Sequence, residues 1–431
     1  MSVKRIELWG LPWLALAVMS LACGPGGRKP TNVLLISIDT LRPDHLGYGG
    51  SPRPVSPSID RLAREGIVYT RAYSQSGWTL PSMATILTGR YPMDHKAVDF
   101  NYGLDRSLPT LASVLKERGY DTRGYVSHIL LTAKYGMDRG FSRFDASVLD
   151  RGDPHEISSS RELCELAVRD MRNLRQPFFV WVHFFDPHFA YLAHAEWAAF
   201  GNANADRYDQ EIAYTDRYVG ELVASMEKSG LLRNTLVVFT ADHGEEFGDH
   251  GGEYHETCYQ EVLRVPLVIR GPGLAAGTDS SWADQIDILP TILGRLGVPA
   301  PPDCPGRDLL GGPGPAHPIF VERERPPGFR QRAIISQGRK LIRIEPRDIA
   351  LVAPESRTEY SEAKNVFAGT YVYDLERDPG ERANIFSPAD PGSMKLLAML
   401  AAHFTGYSVP AQDVTVDEAM RERLRSLGYI R

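Results

Sequence analysis

An α/β fold built on a central, mostly parallel sheet flanked by helices is what this sequence predicts, and three apolar runs predict it. Asn32-Val33-Leu34-Leu35-Ile36-Ser37-Ile38, Phe178-Phe179-Val180-Trp181-Val182 and Leu236-Val237-Val238-Phe239-Thr240 are short and almost continuously apolar. Such runs suit strands buried on both faces, as parallel strands are when helices cover the sheet. Each ends in polar residues: Asp39 after the first, His183 to His188 after the second, Asp242 and His243 after the third. Between them, helices are expected over 59–65, 108–118, 159–175 and 206–228, where apolar residues recur at three- and four-residue intervals. Parallel α/β sheets collect ligands beyond the carboxyl ends of their strands, so the polar clusters fall where a site belongs.

Past Asp287-Ile288-Leu289-Pro290-Thr291 the composition changes. Residues 299–318 are rich in proline and glycine, strand-like pieces follow at 332–336, 340–344 and 366–375, and a helix is expected over 414–427. The chain is therefore read as a catalytic domain over 32–315 and a small α+β subdomain over 316–431. The loops 189–204 and 345–370 are expected to shape the pocket.

Residues 1–22 read as a signal peptide, because Lys4 and Arg5 precede an apolar run over 8–22 that is short for a membrane span. Ala22-Cys23, followed by Gly24-Pro25-Gly26-Gly27, resembles a bacterial lipoprotein processing site, with Ser20 standing where an aliphatic residue is usual. Residues 23–31 are a linker. The expectation is export to the bacterial cell envelope, lipid-anchored through Cys23 or periplasmic. Cys164, Cys258 and Cys304 are odd in number and in no metal-binding spacing, and free thiols are expected.

Across all 431 residues, 24 % are charged and 43 % hydrophobic, which is ordinary for a globular chain. A net charge of −6 provides no basic surface and excludes a nucleic-acid partner.

Asp39 in Asp39-Thr40-Leu41-Arg42, Asp242 and His243 in Thr240-Ala241-Asp242-His243-Gly244-Glu245, and the hydroxyl of Thr79 make a four-ligand set for a divalent cation. The imidazole favours zinc or manganese over calcium. An alcohol is a poor nucleophile near neutrality until its proton is removed, and a metal lowers the pKa of bound water from about 15.7 to about 7. Thr79 also stands just before Pro81 and a stretch of small residues, a helix start whose N–H groups suit a tetrahedral anion.

The segment Ser76-Gly77-Trp78-Thr79-Leu80-Pro81-Ser82-Met83, continued by Thr88-Gly89-Arg90, resembles the signature of the sulfatases, in which Cys-x-Pro-Ser-Arg precedes Thr-Gly-Arg. Ser56-Pro57-Ser58-Ile59-Asp60, Asp186-Pro187-His188, Leu263-Arg264-Val265-Pro266-Leu267, Tyr373-Asp374-Leu375, Asp378-Pro379 and Asn384 follow the same family's order. The chain thus resembles a sulfatase-like member of the alkaline phosphatase superfamily from about Asn32 onward. The resemblance implies a metal-dependent ester hydrolase acting on a small-molecule, glycan or lipid ester.

The departures bear on chemistry. Thr79 replaces the cysteine or serine that sulfatases oxidise to formylglycine, and a secondary hydroxyl is not expected to undergo that maturation. Met83 replaces an arginine, Thr40 a second aspartate, His243 an asparagine, and Ser127 or a neighbour an active-site lysine. Asp, Thr, Asp and His resemble instead the set used by the superfamily's threonine enzymes, which act on phosphodiesters or transfer phosphoethanolamine and glycerophosphate. On that resemblance Thr79 is the nucleophile, and His188 and His255 contact the transferred group or protonate the leaving oxygen. An alternative set, Asp186 with His188 and His255, would hold a second metal. His250 is expected beside the site, His45 and His95 in structural roles at turns, and His128 either lining the pocket or structural. Arg42 is expected to support Asp39 by a charge-assisted hydrogen bond or to be a solvated surface residue.

Three functions follow: a phosphate ester or diester hydrolase or phosphotransferase working through a covalent Thr79 intermediate; a sulfuric ester hydrolase; or a catalytically inactive lipoprotein that binds a glycan or lipid.

Overall fold

The computed structural model describes residues 32–152, 156–312, 317–325, 329–346, 368–406 and 414–426. The expected signal peptide, Cys23, the linker, the boundary at residue 315 and most of the 345–370 loop lie outside them.

The chain runs through β1 (Asn32–Ile38), α1 (Pro57–Glu65), β2 (Ile67–Tyr73), α2 (Thr79–Thr88), α3 (Pro92–His95), α4 (Leu111–Lys116), β3 (Asp121–Val126), β4 (Arg143–Asp145), α5 (Ser160–Met171), β5 (Phe178–Phe184), α6 (Asn204–Lys228) and β6 (Thr235–Ala241). It continues with β7 (Glu246–Phe247), β8 (Glu253–Tyr254), α7 (Gln260–Leu263), β9 (Arg264–Val265), β10 (Leu267–Arg270), β11 (Gly277–Asp284) and α8 (Ile288–Leu296). The main sheet has the order β11-β2-β10-β6-β1-β5-β3-β4, with β9 paired to β2. β1 pairs in parallel with β5 and β6, β3 with β5 and β4, and β11 with β2, whereas β10 runs antiparallel to its neighbours.

Every residue of β1, β5 and β6 is buried, as their unbroken apolar runs predict. Register places Ser37 opposite both His183 and Thr240, so the carboxyl ends of these three central strands finish level. Two expected helices are shorter. α4 starts only at Leu111, because Thr110 closes its N-terminus in a reciprocal capping box with Ser113. α5 stops at Met171, ahead of the turn that leads to Pro177 and β5.

A separate antiparallel sheet follows: β12 (Ile319–Arg325), β13 (Phe329–Ser336), β14 (Arg339–Pro346) and β15 (Gly369–Asp374), in that order. One face packs Val321, Ala333 and Ile342 against Tyr73, Cys258 and Val262 of the main domain. The other packs Ile334, Leu341 and Val372 against Leu396, Leu400 and Phe404, on and just beyond the helix Pro391–His403. The final helix, Glu418–Ser426, begins later than its sequence suggests, because Asp417 accepts from the Met420 N–H at its start while Val414 and Val416 bury in the main core. Among the described residues no helix is long and apolar enough to cross a membrane, and Cys164, Cys258 and Cys304 are free thiols.

Lys340 of β14 is fully buried, its ammonium 2.9 Å from Glu381, which in turn accepts from the Gln260 N–H at the start of α7. Removing one partner of a buried pair leaves an uncompensated charge. Lys340→Met is therefore expected to cost about 3–5 kcal/mol in denaturant titration, and Glu381→Gln in the same chain to recover part of that loss.

Candidate active site

Asp39 and Asp242 project from the ends of the adjacent strands β1 and β6 and are fully buried. Thr40 follows Asp39 in the left-handed region, φ 52°, and this turn aims its N–H at Asp242 Oδ1, 3.1 Å away. The His243 N–H donates to the same oxygen at 2.8 Å. Asp242 Oδ1 is thus occupied by two backbone donors, while Oδ2 is buried without a hydrogen bond. Gly244 lets the chain turn away from the site: a Cβ there would lie 1.9 Å from the Glu261 carbonyl oxygen, so no other residue fits without displacing backbone.

Thr79 is the first residue of α2, a fully buried helix with no side-chain cap, so the site lies at the end where N–H groups are left over. Its Oγ1 is 3.4 and 3.5 Å from the two oxygens of Asp39 and 3.4 Å from His243 Nε2. His243 Nδ1 lies 2.9 Å from the Gly244 carbonyl oxygen and must donate to it, which leaves the Nε2 lone pair facing Thr79 and both aspartates. Behind this layer, Gln285 donates to the carbonyls of Ala241 and Asp242 at 2.9 and 2.6 Å and accepts from Ser74 Oγ at 3.0 Å. It ties the loop before α2 to the end of β6.

An arc of imidazoles leads away from His243, which faces the hydroxyl, and returns to Asp39. Ring centroids run from His183 to His128 (6.2 Å), His128 to His188 (6.1 Å), His188 to His255 (5.4 Å) and His255 to His243 (4.6 Å). His128 and His183 each bring Nε2 to 3.6 Å from Asp39 Oδ2. His128 Nδ1 accepts from the Leu130 N–H, so its proton sits on Nε2, toward Asp39. His188 Nδ1 donates to the Phe189 carbonyl at 2.8 Å, and His255 Nδ1 faces Glu245 at 3.2 Å. Burial holds the pKa of His183 down at about 4 and that of His128 well below the usual histidine range, where neighbouring imidazoles reinforce it; both rings are neutral at pH 7. Burial, then Asp242 and Glu245, push Asp39 well above the carboxylate range. A cation among these groups reverses that ordering.

The donor atoms of Asp39, Asp242 and His243 lie within 4.8 Å of one another, with the Thr79 hydroxyl beside them. Two carboxylates, one of them with a buried oxygen that lacks a hydrogen bond, an imidazole lone pair and a hydroxyl fit one divalent ion.

The structure redirects several expectations. Asp186 does not face this cluster, because its carboxylate accepts the N–H groups of Ser159 and Ser160 at the head of α5, which removes it from a second metal set. Arg42 bonds Asp44, Asp249 and the Glu245 carbonyl, not Asp39, and is buried rather than solvated. His250 stacks on Tyr259 at 3.8 Å and bonds Glu261 and the Glu381 carbonyl, away from the arc. His45 pairs with Asp209, and Ser127 braces the β5 end by donating to the His183 carbonyl and accepting from the Phe185 N–H. His128 does line the site. Gln285 carried no motif; His183 was visible only as a polar residue at a strand end and Glu245 only as the last residue of the Asp242-His243 segment, and the register of His183 opposite Ser37 is what brings it to the site.

Such a sheet, with a candidate metal donor set at its carboxyl edge and an alcohol at a helix start, has the layout of an ester hydrolase. The sulfatase family model matches residues 31–298. The chain is 27 % identical to human arylsulfatase A over 89 % of each protein. It is 24 % identical to the multifunctional alkaline phosphatase superfamily protein PehA of Trinickia caryophylli, covering 89 % of this chain and 96 % of that protein. The crystal structure of the phosphonate monoester hydrolase of Agrobacterium radiobacter superposes with a TM-score of 0.69 at 22 % identity, over 86 % of this chain and 96 % of that one. The chain belongs to the sulfatase family and is an ester hydrolase of the alkaline phosphatase superfamily.

Two outcomes test this arrangement. Asp242→Ala is expected to reduce the divalent metal retained after dialysis at least about tenfold, read by elemental analysis. His95 supports α2 from beneath, its Nε2 donating to the Pro81 carbonyl, and burial holds its pKa at about 3. The unfolded chain binds that proton near pH 6.5, so between about 6.5 and 3 it takes up more protons than the folded chain, and stability falls as pH drops through that window. The urea midpoint is expected to decline less between about pH 7 and 5 in His95→Asn than in the wild type.

Proposed function

We propose that this protein is a metal-dependent hydrolase or phosphotransferase that cleaves a phosphate diester or phosphonate monoester through a covalent Thr79 intermediate. The observation that carries the reading is the Thr79 hydroxyl, buried at the head of α2 and within 3.5 Å of Asp39 and His243, in a position where the family's chemistry otherwise needs an oxidisable cysteine or serine. The relatives named above include a phosphonate monoester hydrolase, in keeping with such a substrate.

Asp39, Thr79, Asp242 and His243 would hold the ion, zinc or manganese by the imidazole among them. When bound, it supplies the positive charge that stabilises a threonine alkoxide and the developing oxyanion. Thr79 Oγ, passing its proton to Asp39, forms a bond to phosphorus as the bond to the leaving oxygen breaks, and His188 or His255 in its protonated form gives that oxygen a proton. Water, or an acceptor alcohol, then displaces Thr79 and frees the enzyme. The uncapped N–H groups at the α2 start would stabilise the charge on the equatorial oxygens. Among the described residues no lysine or arginine side chain bonds Asp39, Thr79 or Asp242. A site without such a cation suits a singly charged diester or phosphonate ester better than a dianion.

The second reading, a sulfuric ester hydrolase, has family membership and arylsulfatase A on its side. Its difficulty is chemical: a formylglycine hydrate expels sulfate by elimination, and a sulfated threonine has no geminal hydroxyl with which to do so. Export to the envelope, with a lipid on Cys23, remains part of the proposal and rests on residues 1–31 alone.

Purified protein with added zinc or manganese is expected to turn over aryl phosphodiesters and phosphonate monoesters faster than aryl sulfates, and Thr79→Ala to lose at least about a thousandfold in kcat. Acid quenching during turnover should leave the phosphoryl group on the Thr79 peptide. Sulfate turnover above all others, or full activity in Thr79→Ala, overturns the reading.

A further inference from the structure

Two loops meet over the imidazole arc, and they meet in two tiers. The inner tier is His188 against His255, with ring centroids 5.4 Å apart and both side chains buried. The outer tier is formed by the next residue on each loop: Phe189 and Tyr254 stand edge to face, 4.7 Å apart at 75°, and both are part-exposed. Phe189 is steadied from the side by Tyr191, at 5.7 Å.

Tyr254 sits in a conformation that disfavours it. Its φ is 65°, a left-handed backbone that glycine or asparagine adopts far more easily than an aromatic residue, and the same hairpin places Gly248 and Gly251 at positive φ. The Tyr254 ring also belongs to none of the three apolar cores. An aromatic ring held at an unfavourable backbone angle, outside the core and one residue from His255, serves the site rather than the fold.

We infer that Phe189 and Tyr254 form an aromatic subsite for the organic part of the ester, selecting aryl or other flat apolar groups whose anionic end reaches Thr79. The inference rests on the function proposed above for its anion and leaving-group assignment. Aromatic side chains arranged edge to face bind a further ring by stacking and by burying its faces, and a saturated or strongly polar group gains neither.

Binding by calorimetry to the zinc-loaded full chain tests this without turnover, using phenylphosphonate against methylphosphonate and benzenesulfonate against methanesulfonate. Phenylphosphonate is expected to bind the wild type about tenfold more tightly than methylphosphonate. In Phe189→Leu and Tyr254→Asn that ratio should fall to about one, with methylphosphonate affinity unchanged. Tyr254→Asn should melt no lower than the wild type, because asparagine tolerates the backbone angle. Equal binding of phenyl and methyl ligands by the wild type, a ratio that survives in both variants, loss of methylphosphonate binding along with phenylphosphonate, or no binding by any of the four ligands overturns the subsite. An aryl preference confined to the sulfonates supports the subsite while overturning the phosphate reading.

Discussion

Two aspartates brought together in the protein interior set the terms for everything around them. β1 and β6 lie side by side in parallel register, so Asp39 and Asp242 leave the sheet as neighbours with no solvent to screen them, and Glu245 adds a third buried carboxyl nearby. Two like charges about 4 Å apart at an effective dielectric near 20 repel by about 4 kcal/mol. Such a cluster persists only if a proton or a cation neutralises it. The left-handed Thr40, the glycine that His243 precedes and the carbonyl-gripping Gln285 all serve one end, which is to hold these groups so that one carboxylate oxygen and one imidazole lone pair stay aimed inward.

The small sheet is part of that support. Its edge strand β12 gives the Glu322 N–H to the Gln75 carbonyl in the loop before Thr79, and Gln331 donates to the Glu256 carbonyl just after His255. Lys340 and Glu381 anchor the start of α7, and His250 closes the same region against Glu261 and Glu381. The loops that deliver the nucleophile and His255 are thus fastened from outside the main sheet, which keeps a site built on loops within the tolerance that transition-state geometry requires.

The character of the charge around Thr79 separates this site from the pattern its signature segment resembles. Met83 is fully buried in α2 where the resemblance expects an arginine, and Ser127, one of the positions where it expects a lysine, spends its hydroxyl on the backbone of β5. Burial keeps His128 and His183 neutral, so neither ring supplies positive charge to an anionic substrate, and the α2 N-terminus and any cation held by the carboxylates are left to do so.

Much of this was legible in the sequence. The unbroken apolar runs required β1, β5 and β6 to be buried on both faces, and a chain that places Asp39, Asp242 and His243 directly after such strands has little choice about where they finish. Thr79 was equally exposed by its neighbours, since Pro81 and the small residues that follow define a helix start. What the sequence could not decide is how side chains far apart in the chain share space. Arg42 and Asp186 looked like site residues by position, and tertiary packing gave them to Asp44 and to the head of α5. His183, Gln285 and the pairing of Phe189 with Tyr254 depend on strand register and on loops meeting from opposite sides. Local residue order fixes an element and what stands at its end; which partner that residue meets is set by packing between elements, and no single segment encodes it.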